Sequence, residues 1–260
     1  MQSNPTALIT GSTSGIGLGI AHRMAAQGYN LMLNGFGDAS EIEQLRQQLA
    51  EAYDVSVQHH GADISKPEAC ADMIDQAEKE LGGVDVLVNN AGIQYTERAE
   101  DFPIEKWQAV ISINLSGAFY CLRAALPGMR RRGFGRIINI ASAHGLVASE
   151  KKVAYVAAKH GIVGMTKVVA LENTDFDCTC NAICPGWVLT PLVKKQIEDK
   201  AQQQGISVAQ AEYDLLAEKQ PMARFTTPED IGDMAVYLAS KAAHTVTGTA
   251  LSIDGGWTAQ

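Results

Sequence analysis

A phenol and an ammonium stand four residues apart in Tyr155-Val156-Ala157-Ala158-Lys159, a spacing that stacks two side chains on one face of a helix. Tyrosine ionises near pH 10, so a tyrosine that takes up a proton at neutral pH needs its phenolate favoured by about 4 kcal/mol. The cation of Lys159 is a source of part of that preference. Ser142, thirteen residues upstream at the end of an apolar run, offers a hydroxyl that can hold an oxygen while charge develops on it. The plainer reading is an exposed helical Tyr/Lys pair without chemistry, and the rest of the chain decides between the two.

A second feature is the glycine-rich stretch Thr10-Gly11-Ser12-Thr13-Ser14-Gly15-Ile16-Gly17, which follows an apolar run and opens a helical pattern. Free N–H groups at such a helix start, with the helix dipole, favour a diphosphate. The spacing is Gly-x-x-x-Gly-x-Gly, not Gly-x-Gly-x-x-Gly, because position 20 is Ile, and no lysine precedes Lys66, which excludes a P-loop. Asp63-Ile64, Asn89-Asn90-Ala91-Gly92 and Pro185-Gly186 fall at the ends of later strands and line the same edge. The expected dinucleotide contacts are Gly11, Thr13, Gly15, Ile16, Gly17, Phe36, Asp63, Ile64, Asn90, Ala91, Gly92, Pro185, Gly186, Val188 and Thr190, joined by Tyr155 and Lys159. A 2′-phosphate needs cations near the end of the second strand. Residues 24–45 hold no Lys or Arg and do hold Asp38, Glu41 and Glu43, so NAD is expected over NADP, although Phe36 stands where an acid is usual. A positively charged nicotinamide ring would add to Lys159 in favouring the Tyr155 phenolate.

The elements that must position these residues alternate. Runs at 6–10, 31–34, 55–59, 84–88, 136–141, 179–184 and 249–253 read as strands, and helical patterns fall near 15–27, 39–52, 67–81, 104–131, 152–172 and 228–239. Near-continuous apolar strands alternating with helices predict an α/β fold: one doubly wound, Rossmann-type parallel sheet of about seven strands with helices on both faces. The chain is read as a single dinucleotide-binding catalytic domain over 1–260. Residues 187–223 break the alternation after the sixth strand and are read as a helical lid over the substrate, against the alternative of a surface hairpin without that role.

The chain has 260 residues, 46% hydrophobic and 19% charged, with a net charge of −8. That composition suits a folded protein and offers no global field for nucleic acid. Five cysteines, no charged leader in the first 22 residues and no run of 18 apolar residues give an expectation of a reducing cytoplasm without membrane attachment. Cys178, Cys180 and Cys184 lack a partner pair for a metal site, and no metal is expected. Ser142 beside His144 is not read as a hydrolase pair, because Gly-x-Ser-x-Gly is missing and strand geometry is expected to point the two apart.

Taken together, residues 10–17, Asn89 to Gly92, Asn114, Ser142, Tyr155, Lys159, Pro185-Gly186 and Asp254-Gly255-Gly256 resemble the short-chain dehydrogenase/reductase family over essentially the whole chain. The resemblance implies that Tyr155 is the general acid/base, that Ser142 steadies the substrate oxygen, that Lys159 holds the nicotinamide ribose, and that Asn114 serves a water-linked proton relay through Lys159. Around this centre lie Gln94, His144, Lys152 and Gln196, with Trp187 and Trp257 as apolar walls. Donors converging on one pocket suggest a carboxylate. With the segments 141–145 and 181–187, these residues resemble the bacterial D-3-hydroxybutyrate-oxidising branch of the family. That implies interconversion with acetoacetate using NAD, carboxylate binding by Gln94, His144, Lys152 and Gln196, and a homotetramer. The competing readings are an NADPH-dependent 3-oxoacyl-thioester reductase of the same family and a non-catalytic dinucleotide-binding regulator. An intact Ser142, Tyr155 and Lys159 argues against the regulator.

Overall fold

The computed structural model describes residues 4–260, so the first three residues of the expected 1–260 domain lie outside the described residues. The strands are β1 (Thr6–Ile9), β2 (Asn30–Asn34), β3 (Val57–His60), β4 (Val86–Asn89), β5 (Phe134–Ile140), β6 (Asp177–Pro185) and β7 (Ala250–Ile253). They form one sheet in the order β3-β2-β1-β4-β5-β6-β7, parallel at every pairing. Strand order reverses between β1 and β4, which opens a crevice at their carboxyl ends. The expected doubly wound sheet is therefore the observed one, with β3 and β4 each starting two residues later than the apolar runs suggest.

Near-continuous apolar strands follow from cover on both faces. Ala7, Ile9, Leu31, Leu33, Val86, Val88, Ile138 and Ile140 point to one core, packed by α1 (Gly15–Ala26) and α9 (Pro228–Ala239). Leu8, Met32, Leu87 and Ile137, the alternating residues, point to the other. That second core is covered by α3 (Pro67–Leu81) and α5 (Gly117–Arg132), while α2 (Ala39–Tyr53) flanks β3 and α6 (Val153–Glu172) flanks β6.

The helix expected over 104–131 is two helices. A π-helical turn, Ser112–Ser116, separates α4 (Ile104–Ile111) from α5. In it Asn114 accepts the Ile93 N–H at 2.8 Å and donates to the Ile93 carbonyl at 2.9 Å, so one widened turn delivers a buried amide to the loop after β4. Apolar periodicity does not register one extra residue per turn. The best 18-residue window of Ile104–Arg132 has a mean hydropathy of 1.4, and Val110, Leu122, Ala125 and Met129 spend that apolar character inside the protein.

Residues of the 187–223 insertion form α7 (Pro191–Gln204) and α8 (Val208–Ala217), joined by a turn in which Gly205 ends α7 at φ +64°. Ile197, Ala201 and Ala211 give the pair a small core separate from those under the sheet.

Asn34, at the carboxyl end of β2, ties three strand ends together. It accepts the Gly11 N–H at 3.2 Å and donates to the carbonyls of His60 and Ala62, both at 3.0 Å. Replacing it with Ala strands buried backbone groups, so Asn34→Ala is expected to lose about 2–3 kcal/mol in urea unfolding and to weaken dinucleotide binding measured by calorimetry.

Candidate active site

The glycine turn after β1 is built by close approach. A Cβ on Gly17 would sit 2.2 Å from the Gly11 carbonyl oxygen, and one on Gly11 would sit 2.9 Å from Ala91 Cα, so both positions require a bare backbone. The loop after β4 clamps the turn. Asn90 donates to the carbonyls of Thr10 (2.9 Å) and Gly11 (3.0 Å), and the Thr10 hydroxyl accepts the N–H groups of Asn90 (2.9 Å) and Ala91 (3.1 Å). Helix α1 opens at Ser14 without a side-chain cap, leaving first-turn donors for an anion. These residues fit a dinucleotide diphosphate. Thr190 caps α7 by accepting the Val193 N–H, and its side chain stands next to Gly15, bringing the insertion to the turn. Ile16 packs on the core, and Val188 is buried and bridges Thr226. Ile64 is buried, and Asp63 turns its carboxylate onto the Ser65 N–H at 3.0 Å.

At the ends of β5 and β6 the structure brings Ser142, Tyr155 and Lys159 together. The Lys159 ammonium donates to the Ile140 carbonyl at 2.7 Å and lies 5.5 Å from the Tyr155 ring centroid. Burial pushes the Lys159 ammonium down to about 8. The same burial raises the Tyr155 phenol above its ordinary value, and a hydrogen bond with Ser142 opposes this only in part. The expected phenolate, drawn from Lys159 and a positive nicotinamide together, therefore has this burial to offset. Before any further positive charge arrives the phenol keeps its proton and is a proton donor.

Ser142 and His144 face each other, contrary to the expectation from strand geometry. The chain leaves β5 at Ile140 and enters a tight 3₁₀ turn, Ala143–Gly145, capped by Ser142, which puts the Ser142 hydroxyl 3.5 Å from His144 Nδ1. His144 Nε2 meets the Ser149 hydroxyl at 2.9 Å, and its ring stacks edge-on against Trp257 at 4.9 Å. Burial first, then the cations of Lys152, Lys219 and His160, hold His144 down to about 4, so it is neutral and Lys152 supplies the positive charge. Lys152 Nζ lies 5.8 Å from the Trp187 ring, and the indole N–H of Trp187 is buried without a partner among the described residues. Gln94 and Gln196 stand apart: both are exposed, and Gln94 reaches only the Thr96 hydroxyl at 3.4 Å.

Phe36 is 71% exposed and lines a cleft of about 450 Å³ beside the β2 end, together with Gly35, Gly37, Glu43, Arg46 and His59. Arg46, one residue beyond the cation-free stretch 24–45, is thus part of that region. Gln220, Asn34 and Ser149 also escaped the sequence reading. Gln220 is 1% exposed. It accepts the Trp187 N–H at 2.5 Å and donates to the Arg224 carbonyl at 2.8 Å, while a Cβ on Gly186 would sit 2.3 Å from its oxygen. It fixes the Pro185-Gly186-Trp187 turn, and no motif in the sequence marks it.

A family model described as enoyl-(acyl carrier protein) reductase matches residues 11–258. Over 261 residues, all of both chains, the sequence is 56% identical to a D-beta-hydroxybutyrate dehydrogenase of Cupriavidus necator. A D-beta-hydroxybutyrate dehydrogenase of Rhizobium meliloti is 53% identical over 98% of this chain and 99% of its own. A solved actinorhodin polyketide ketoreductase with NADPH superposes with a TM-score of 0.90 at 34% identity, covering 99% of this chain and 98% of that one. The chain belongs to the short-chain dehydrogenase/reductase family, whose members bind a nicotinamide dinucleotide.

The His144 shift fixes a pH effect. Its folded pKa of about 4 lies below the unfolded value of about 6.5, so between these values the unfolded chain binds the extra proton and stability falls as pH falls. His144→Gln should lose less stability than the parent between pH 6.5 and 4 in paired urea titrations. Equal losses would contradict a buried neutral imidazole.

Proposed function

We propose that this chain catalyses the NAD-dependent oxidation of D-3-hydroxybutyrate to acetoacetate and the reverse reduction. The observation that carries the substrate is the Lys152 ammonium beside Trp187, whose buried indole N–H lacks a partner among the described residues, set next to the Ser142/Tyr155/Lys159 cluster. A cation and an unmatched donor within one pocket suit a small carboxylate. The relatives named D-beta-hydroxybutyrate dehydrogenase, at 56% and 53% identity, support the same substrate.

In reduction, Tyr155 gives its phenolic proton to the carbonyl oxygen while Ser142 holds that oxygen. In oxidation, the reverse, Tyr155 as phenolate takes the hydroxyl proton. A bound nicotinamide would supply or accept the hydride and, in its oxidised form, would add positive charge that favours the phenolate. Lys159, anchored on β5 by the Ile140 carbonyl, holds the nicotinamide ribose and passes the proton towards Asn114. Lys152 and neutral His144 orient the carboxylate between Trp187 and Trp257. Gln94 and Gln196 join them when the 187–223 insertion closes as a lid within one catalytic domain. The residues of the glycine turn and the ends of β2 to β4 and β6 would hold the dinucleotide.

The thioester-reductase reading is less well supported, because Arg46, the cation that lines the cleft at the β2 end, is already paired with Glu43. Five buried free thiols suit a reducing cytoplasm, and the exposed apolar side chains of Phe119 on α5 and of Val168 and Leu171 on α6 suit assembly into a homotetramer.

Lys152→Ala tests the substrate. The Michaelis constant for D-3-hydroxybutyrate should rise about 50-fold, the equivalent of one lost charged hydrogen bond, with NAD affinity by calorimetry held to within about twofold. Equal losses for both ligands would refute the carboxylate pocket.

A further inference from the structure

The cleft beside the β2 end contains two features that ordinarily attract an anion, and each is already occupied by a carboxylate of the chain. The first is the start of α2. Asp38 accepts the N–H groups of Ser40 at 2.8 Å and Glu41 at 3.2 Å, so these first-turn donors are matched internally. The second is Arg46. Its Nε donates to Glu43 Oε2 at 2.8 Å and its Nη2 to Glu43 Oε1 at 2.7 Å, while Nη1 donates to the Val57 carbonyl at 3.0 Å. Three of the five guanidinium N–H donors are thereby used. Gln47 donates to the same carboxylate at 2.7 Å, steadying it over the guanidinium. Glu43 and Arg46 both line the cleft, and the Arg46 side chain remains 28% exposed.

We propose that Glu43 sets the dinucleotide preference of this chain by occupying Arg46, the cation that would otherwise receive an adenosine 2′-phosphate in the β2 cleft. The inference rests on the NAD reading above and assigns that preference to a specific ion pair. A guanidinium already matched by a bidentate carboxylate gains little from a second anion, which must also approach the charges of Glu43 and Asp38. Phe36, 71% exposed at the cleft mouth, offers no polar contact in place of the usual acid. The preference arises from a cation neutralised within the chain, and a cation-free stretch is not its cause.

The test uses binding alone, by calorimetry on the full chain, with NAD, NADP, adenosine 5′-phosphate and adenosine 2′,5′-bisphosphate as probes. The parent should bind NAD more tightly than NADP. Glu43→Gln keeps the shape and frees the guanidinium. It should tighten adenosine 2′,5′-bisphosphate about tenfold, as one charge-assisted contact allows, with adenosine 5′-phosphate affinity unchanged. The double variant Glu43→Gln/Arg46→Ala should lose that gain. A parent that binds NADP as tightly as NAD defeats the cofactor reading and this inference with it. A parent that prefers NAD, with no gain in Glu43→Gln or a gain that survives removal of Arg46, overturns the inference alone.

Discussion

The candidate active site depends on one buried hydrogen bond, from the Lys159 ammonium to the carbonyl of Ile140 at 2.7 Å. It joins α6 to the last residue of β5 and so sets the spacing of everything chemical. Tyr155 stands one helical turn before Lys159, and Ser142 stands two residues beyond Ile140. A cation buried this deeply is costly, which is why its pKa falls to about 8. The fold accepts that cost because the bond places a charge against the tyrosine ring, at the edge where a parallel sheet leaves its loops.

The same economy of polar groups runs along the crevice. Asn34, Asn90 and Gln220 each give their amide to backbone: the first two hold the glycine turn, and the third holds the turn after β6. The groups left for a ligand include the uncapped start of α1, the hydroxyls of Ser142 and Tyr155, the ammonium of Lys152 and the indole N–H of Trp187. A rigid backbone frame with a small number of free donors is the usual construction of a selective small-molecule site.

Much of this was legible in the sequence. Apolar runs and glycine turns located every strand and the crevice, because burial on both faces leaves a continuous hydrophobic signal. The Tyr155/Lys159 spacing predicted their meeting, since helical period fixes it. Other features were not legible. The π-helical turn at Ser112–Ser116 is invisible to periodicity. The contact of Ser142 with His144 follows from a 3₁₀ turn that a strand pattern does not foretell. The ionisation of Tyr155 depends on burial: spacing shows that Lys159 is near, whereas the balance between its charge and the loss of water is a property of the packed site. Gln220 and Asn34 escaped for a related reason, as a polar residue does not announce which distant backbone it will satisfy.

The proposed chemistry requires Tyr155 to exchange the proton with the substrate oxygen. The direct measurement is single-turnover reduction of acetoacetate by NADH in Tyr155→Phe, which removes only the hydroxyl. A loss of about 10²–10⁴ in rate, with NADH affinity retained, is the predicted result. Reduction by the variant at the parent's rate would contradict it.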